Sequence, residues 1–267
     1  MSSLFAIYRA QFYLSLLNWL QYRVGMIFWF IVRVVEPLIY ISVWSSIANN
    51  KGGTVNGLSV GDLAAYYIVI MVVNQMTFLG LIGLWGYRVK TGALSSYLLR
   101  PVSIFHRDLA NLLANKAITL TFIVPTVAIL SFLFLPILNT TPLHIIGFIV
   151  ALVISFCLRF MLESVVGLVA FWFTQMDAVE RLYSVTLFFF SGRIAPLLLL
   201  PIWMQHIANI LPFRWMLSFP TEMLLSDLTI QEIVNGFVAQ GFWLLLLLLG
   251  LLIFWRAAVK RYTSVDG

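Results

Sequence analysis

Two stretches of the chain, residues 63–87 and 233–255, are apolar over more than 20 residues and contain no charged side chain. An α-helix needs about 20 apolar residues to cross the hydrocarbon core of a bilayer, so each stretch predicts a membrane-spanning helix. Only 10% of the 267 residues are charged, whereas a soluble domain carries about 25%. The leucine run at 244–249 excludes the alternation of a β-barrel strand. We therefore predict an all-α, polytopic membrane protein.

The whole chain, residues 1–267, is predicted to form a single transmembrane domain with six spans. A helix over residues 3–22, rich in aromatic residues and leucine, is predicted to lie along the membrane face in front of them. The alternative is that this segment is an ordinary leader into the first span. The six predicted spans are residues 24–47, 63–87, 117–136, 143–173, 182–200 and 233–255.

The basic residues between the spans decide the predicted orientation. With the N-terminal end in the cytoplasm, eleven of the sixteen Lys and Arg residues fall on the cytoplasmic side and three fall outside, in line with the positive-inside rule. Both termini are therefore predicted to be cytoplasmic, in a prokaryotic inner (plasma) membrane. Because the basic residues are spread between the spans and form no single patch, nucleic acid is not expected as a partner.

No motif for nucleotide, metal or covalent chemistry occurs in the sequence. There is no G-x-x-x-x-G-K-[ST] phosphate loop and no H-E-x-x-H zinc motif. His106, His144 and His206 lie in three different predicted loops. We expect no catalytic residue, no metal site and no cofactor in this chain, so any energy source lies in another chain.

A short segment at 92–101 follows the second span and is predicted to form a protruding helix. Gly92 suits its start, its leucines favour a helix, and Pro101 ends it by disfavouring helical geometry at the preceding residue. Its apolar residues Leu94, Tyr97 and Leu98 recur at i, i+3 and i+4 and form one face. We expect this face to dock into a groove on a partner, and the alternative is that it lies on the membrane surface. The candidate docking residues are Gly92, Leu94, Ser95, Tyr97, Leu98, Leu99, Arg100 and Pro101.

Several prolines follow the predicted fifth span. Proline breaks the helical hydrogen-bond ladder, so this span cannot continue as one straight helix. The residues after it stay apolar, and we predict short re-entrant helices over 201–232 that dip back into the outer leaflet, shielded by protein or water. A plain external loop would leave Trp203 and Phe213 in water. The region begins with a Ser191-Gly192 pair and continues with Pro196, Pro201-Ile-Trp203 and Pro212-Phe213.

Together, the six spans, the segment 92–101 and the pattern from Ser191 to Phe213 resemble the permease subunits of ABC-2 type (ATP-binding cassette) exporters, over nearly the whole chain. The resemblance implies that the segment 92–101 couples the spans to ABC ATPases. It implies two ATPase subunits, which bind ATP and Mg²⁺, and a second permease, identical or related.

The resemblance also assigns the outer exit and its gate to the region that ends span five. Arg193 departs from the apolar residue that usually follows the Ser-Gly pair in this family. Two copies could repel there across a symmetry axis, which favours a lipid phosphate or anionic partner, or a non-identical second permease. The candidate gate residues are Phe189, Ser191, Gly192, Arg193, Pro196, Pro201, Trp203, Pro212 and Phe213.

Two pairs of opposite charges lie within predicted spans. Arg33 and Glu36 are three residues apart, and Arg159 and Glu163 are four apart, so each pair shares one helix face. A charge at mid-membrane costs at least ~2.5–3.5 kcal/mol on insertion scales, so these side chains are expected to face protein or a watery cavity. They are candidates for the substrate path, or for self-neutralised pairs that lock spans together. The resemblance adds that spans one and five line the route between the two permeases.

The predicted function is the permease subunit of an ATP-driven exporter, not an enzyme. A large apolar membrane site suits a lipid-like or amphiphilic substrate, and the acidic residues leave room for a cationic drug. One alternative is a membrane-embedded lipid-modifying enzyme, which would need clustered His, Asp or Arg at one interface. The other is a passive channel or scaffold, which would need neither a coupling segment nor an ATPase.

Overall fold

The computed structural model describes residues 4–21, 23–100, 102–138, 140–173 and 175–262. These residues form eleven α-helices, two short 3-10 turns at Val169–Phe171 and Leu197–Leu199, and one small hairpin. The helices are α1 (Leu4–Gln21), α2 (Arg23–Asn50), α3 (Val60–Thr77), α4 (Leu81–Lys90), α5 (Leu94–Leu98), α6 (Ile104–Phe134), α7 (Pro142–Leu168), α8 (Met176–Phe190), α9 (Ile202–Ile210), α10 (Pro212–Leu225) and α11 (Ile230–Arg261).

Four helical stretches among the described residues are long and apolar enough to cross a membrane. This conclusion rests on their length and composition, and together with the helical content it confirms an all-α, polytopic membrane protein. The predicted count of six spans is not settled by it, because α2 and the 15-residue α8 are not among the four. The four stretches are Val60–Lys90, Ile104–Phe134, Pro142–Phe171 and Ile230–Arg261.

The second of the predicted spans is not one continuous helix. It consists of α3 and α4, with a break at residues 78–80. Gly80 adopts φ +71° there, in the left-handed region that glycine enters without steric cost. A hydropathy pattern registers only apolar length, so it predicts a continuous span across such a break.

The helix of the predicted fifth span lies earlier in the chain than residues 182–200. α8 begins at Met176 and already includes Glu180, and it ends at Phe190. Gly192, with φ +83°, turns the chain before the first proline is reached. The prolines therefore place the end of this helix too late, and its first residues, among them Asp177 and Glu180, lie outside the predicted span.

The two short helices expected after span five are present as α9 and α10. α10 packs against α7, α3 and α11, and its residues Met216 and Leu217 are fully buried. The ring of Phe219 closely approaches Gly236 of α11, the kind of backbone approach that small residues permit between membrane helices. α9 is more open, and Trp203 is 60% exposed.

A two-stranded hairpin lies between α2 and α3, in the stretch that separates the first two predicted spans. Its strands, β1 (Thr54–Val55) and β2 (Leu58–Ser59), are antiparallel. Asn56 and Gly57 form the two-residue turn, both with positive φ, as a type I′ hairpin turn requires. Ser59 and Asp62 then form a capping box that starts α3.

Two long helices, α6 and α11, begin before their predicted spans. α6 begins at Ile104, before the predicted start of span three at residue 117, and it continues through Pro125. α11 covers the sixth predicted span and adds residues at both ends. The amphipathic ends of these helices carry polar side chains that a hydropathy window excludes. The N-terminal end of α6 packs on α1 and lies beside α5, which positions the first part of the candidate site.

Candidate functional site

The segment after span two is fixed to the bundle on its inner side. Gly92 turns the chain with φ +71°, and its carbonyl accepts hydrogen bonds from the Tyr262 hydroxyl at 3.1 Å and the Ser95 hydroxyl at 2.7 Å. Leu94 is fully buried in an apolar cluster that also contains Trp85 and Ile104. The base of α5 therefore belongs to the protein core.

Tyr97 is held between two arginines. The Arg88 guanidinium lies 4.7 Å from the centre of its ring and the Arg107 guanidinium lies 4.6 Å from it. Arg88 is itself fixed by two hydrogen bonds to the Asp108 carboxylate, at 2.7 and 2.6 Å, and both of these side chains are buried. Tyr97 is therefore half-buried, and its ring is held by contacts within the chain.

The prediction that Leu94, Tyr97 and Leu98 form one docking face is therefore wrong for Leu94, which is fully buried, whereas Tyr97 is half-buried. α5 is a single turn packed against its own chain, and this packing buries Leu94 fully and Tyr97 in part. The exposed apolar side chains are Leu98, at 38%, and Leu99, at 87%. Ser96 and Arg100 are also exposed, and Pro101 lies outside the described residues.

The break in span two is filled by a buried charged network from α7. Glu163 accepts a hydrogen bond from the Leu81 backbone N–H at 2.9 Å, at the first residue of α4. Arg159 donates to the same carboxylate at 3.0 Å and also reaches the Asn74 and Thr77 side chains at the end of α3. The two charged side chains are 3% and 2% exposed. This geometry favours the interpretation that the pair locks spans together.

Two further side chains complete the network at the break. The Lys116 ammonium of α6 donates to the backbone carbonyls of Gln75 and Phe78. The Tyr183 hydroxyl of α8 donates to Glu163 at 3.2 Å. Backbone groups freed by an interrupted membrane helix must find partners within the protein, because lipid offers none. Here Lys116 of α6 binds two backbone carbonyls and Glu163 of α7 binds one backbone N–H. Tyr183 of α8 in turn donates a hydrogen bond to Glu163.

Glu36, the acidic member of the second predicted pair, binds a different arginine from the one that its spacing indicates. Glu36 of α2 pairs with Arg193, in the turn after α8, through a 2.7 Å contact from Nε to Oε1 and a second contact from Nη2. The two side chains are 32% and 28% exposed. The side chain of Arg33 lies outside the part of the chain that the structure describes. Because Arg193 finds its anion within its own chain, the repulsion argument for a lipid phosphate or a non-identical second permease loses its basis.

Aromatic side chains of α2 and α3 hold the turn that follows α8. The Tyr66 hydroxyl donates to the Gly192 carbonyl at 2.8 Å. The Tyr67 hydroxyl and the Trp44 indole N–H donate to the Ile194 carbonyl at 2.9 and 3.3 Å. Sequence reasoning missed these three residues. Their signal is polar-tipped aromatic rings within apolar spans, which need a hydrogen-bond partner when buried.

The structure divides the predicted gate residues into two groups. Inside the bundle, the Phe213 ring lies edge-on to Tyr183 with ring centres 5.9 Å apart. The exposed group lies on α8 and α9 and includes Trp203. The predicted gate residues therefore differ in burial, and their role as a gate stays a prediction. The buried members are Ser191, Gly192, Pro196, Pro212 and Phe213, the exposed members are Phe189, Pro201 and Trp203, and Arg193 is half-buried between them.

Two clefts meet at Arg193. One lies beside α2 and α3, has an empty volume of about 310 Å³, and is lined by Glu36, Tyr40 and Asn74 among others. The other has an empty volume of about 390 Å³ and is lined by Glu163, Glu180 and the half-buried Tyr183. Among the described residues, no basic side chain forms an ion pair with Glu180. We call the two clefts together the acidic seam, because three carboxylates line it against two guanidinium groups, those of Arg159 and Arg193.

Comparison with known proteins shows the family to which the chain belongs. No curated protein matched the chain. A family model described as an ABC-2 family transporter protein matches residues 34–266, which include every helix from α3 to α11. This match confirms the resemblance that the spans and the two motifs predicted. The chain is a multi-pass membrane transporter subunit and belongs to the ABC-2 family.

Proposed function

We propose that the chain is the permease subunit of an ATP-driven exporter. It works with two ABC ATPase subunits, which bind ATP and Mg²⁺, and with a second permease, identical or related. The observation that carries this proposal is the exposed apolar tip formed by Leu98 and Leu99 on a segment whose base is buried. An exposed apolar tip on a fixed base suits insertion into a pocket of a partner protein.

The path from this tip into the spans supports a coupling role. α5 follows α4 after a three-residue turn, and α4 begins at the break in span two. The first residue of α4 is hydrogen-bonded to Glu163, which also accepts from Tyr183 of α8. A displacement of α5 by an ATPase would therefore reach α7 and α8 through one short helix.

The proposed orientation follows from the basic residues between the spans. Both termini lie in the cytoplasm of a prokaryotic cell, and the chain spans its inner membrane. α5 then lies on the cytoplasmic side, where an ATPase has access to it. The hairpin of β1 and β2 lies outside.

The proposed cargo is a lipid-like or amphiphilic molecule, with hydrophobic cations as the favoured class. The cleft beside α2 and α3 combines apolar walls from Ile70 and Met71 with the carboxylate of Glu36. The adjoining cleft adds Glu180, which has no ion-pair partner among the described residues. An apolar surface with carboxylates facing a cavity suits a cation that carries an apolar body.

Replacement of Glu36 by glutamine tests this cargo. Glu36→Gln keeps the shape of the side chain and removes its charge. We expect slower transport of hydrophobic cations into inverted membrane vesicles, and unchanged transport of an uncharged amphiphile. The matched control is Glu222→Gln, because Glu222 also belongs to a partly exposed ion pair, with Arg214 at 3.2 Å, but does not line the acidic seam.

Two results would count against a cationic cargo. One is a folded Glu36→Gln variant that transports every tested cation at the wild-type rate. The other is an equal loss in the Glu222→Gln control.

A further inference from the structure

A third cleft, separate from the acidic seam, lies between α1, α5 and α6. Ala10 and Leu14 of α1 form one side, and Ile104 of α6 contributes to the other, around an empty volume of about 660 Å³. α1 is fixed to α6 by hydrogen bonds from Gln11 and Ser15 to the Asn111 side chain, at 3.3 and 2.9 Å. The cleft is therefore framed by a specific helix contact.

Two arginines line this cleft without a carboxylate partner. Arg107 lies over the Tyr97 ring, and its Nη1 atom is buried with no hydrogen-bond partner among the described residues. Arg100 is exposed. Among the described residues no acidic side chain pairs with either, whereas the neighbouring Arg88 is neutralised by Asp108. A buried guanidinium N–H without a partner is unfavourable, so this cleft favours an anionic ligand.

The rest of the cleft is apolar, which restricts the kind of anion. The side chains of Leu14 and Ile104 line it together with Ala10. The outer face of α1 continues this apolar surface, with five exposed large side chains. They are Phe5, Phe12, Tyr13, Leu14 and Leu17. A ligand that satisfies both parts has a negatively charged head and an apolar body.

We propose that this cleft binds an anionic phospholipid of the cytoplasmic leaflet. The phosphate lies between Arg100 and Arg107, and the acyl chains lie along α1. α1 is predicted to follow the membrane face, and the N-terminal part of α6 precedes the predicted third span. Basic pockets at this depth on the cytoplasmic side are suited to anionic head groups. The site is independent of the cargo and lies next to Leu98 and Leu99.

Lipid retention by the purified full chain tests the site. The protein is prepared in micelles that contain equal amounts of phosphatidylglycerol and phosphatidylcholine, and bound lipid is counted by native mass spectrometry. We expect wild type to retain phosphatidylglycerol, and the double variant Arg100→Gln with Arg107→Gln to retain at least about tenfold less. The control Arg181→Gln removes an exposed charge outside the cleft and is expected to retain as much as wild type.

A second variant separates the cleft from general surface charge. Ala10→Trp fills the cleft from an exposed position on α1 and leaves both arginines in place, and we expect it to lose phosphatidylglycerol as well. Retention by either this variant or the folded double variant at the wild-type level would overturn the proposal. So would equal retention of both lipids by wild type. Displacement of the lipid by millimolar inorganic phosphate would identify a free-anion site and would also overturn it.

Discussion

Glu163 accepts hydrogen bonds from three groups on three helices: the backbone N–H of Leu81, the guanidinium of Arg159 and the hydroxyl of Tyr183. Its side chain is 2% exposed. A carboxylate removed from water is tolerated only when it is paired and fully hydrogen-bonded. At the scale of single residues, this carboxylate joins α4, α7 and α8.

Neutralisation of Glu163 is expected to destabilise the protein strongly. Glu163→Gln leaves Arg159 buried without its counter-charge, and breaking a buried pair in this way costs about 3–5 kcal/mol. We expect a large loss of folded protein in size-exclusion chromatography after mild heating in detergent. The control is Glu180→Gln, because Glu180 is less buried and forms no ion pair among the described residues, so its stability is expected to change little. Equal heat resistance of the two variants would contradict the role given to Glu163.

Charge pairs show what sequence spacing does and does not predict for individual residues. The separation of four residues places Arg159 and Glu163 on one helix face, and the structure pairs them. The separation of three between Arg33 and Glu36 gives the same local expectation, yet Glu36 pairs with Arg193. Spacing predicts only neighbours on one helix. A partner far along the chain is selected by how the turn after α8 lies against α2, which no local pattern contains.

The turn after α8 has a geometry that is sensitive to substitution. A Cβ atom on Gly192 would lie 2.5 Å from the Tyr66 hydroxyl oxygen and 3.0 Å from the Ser218 hydroxyl oxygen. The left-handed backbone there also disfavours any other residue. We expect Gly192→Ala to lower the free energy of unfolding by roughly 1–3 kcal/mol, measured by thermal unfolding in detergent.

The control for this prediction is Gly241→Ala in α11. A Cβ atom there meets nothing within 4 Å, and alanine favours a helix interior by roughly 1 kcal/mol over glycine. We expect unchanged or higher thermal stability. A Gly192→Ala protein as stable as this control would show that the turn is not held as described.

The exposed tip of α5 is the element that we expect to bind the ATPase. In the double variant Leu98→Ala with Leu99→Ala, loss of the apolar tip should lower ATPase co-purification by about tenfold, as for an interface hot spot. Membrane insertion is expected to persist, because Leu94 and Tyr97 still anchor the segment. The measurement is the ATPase activity that elutes with the tagged chain from its own membranes.

The matched control is Leu245→Ala with Leu246→Ala. These two leucines are also exposed, but they lie within α11, far along the chain from the coupling segment. Their replacement is expected to leave the eluted activity unchanged. If the α5 variant elutes with as much ATPase activity as the wild type, the tip of α5 does not bind the ATPase.

Sequence patterns do not predict where a helix is interrupted or where it ends. Apolar length predicts where helices cross, but the break at residues 78–80 depends on Glu163 and Lys116, which lie on other helices. By contrast, the hairpin had a local signal in Asn56-Gly57, a preferred type I′ pair. The prolines after span five correctly predict short helices. They do not reveal that α8 already ends before the first of these prolines, at the turn that contains Gly192.

For the whole molecule, composition and apolar periodicity are sufficient to predict an all-α membrane protein, and the order of its motifs predicts the family.

The orientation of the chain in the membrane is also a prediction from the sequence. Tags at both termini and at residue 96 are expected to be cytoplasmic, and a tag near Gly53 external, in a protease-accessibility assay on intact cells. The eleven-to-three distribution of basic residues is the physical reason. An externally accessible C-terminus would reverse the orientation and remove α5 from the reach of an ATPase.

Transport in reconstituted vesicles tests the account of the whole molecule most directly. The tagged chain, together with the ATPase that co-purifies with it, is placed in lipid vesicles with a fluorescent hydrophobic cation. The account predicts that the cation accumulates in vesicles whose ATPase faces outward, that accumulation needs ATP and Mg²⁺, and that a non-hydrolysable ATP analogue does not support it. Equal cation movement with and without ATP, or purification of the chain with no ATPase, would contradict it.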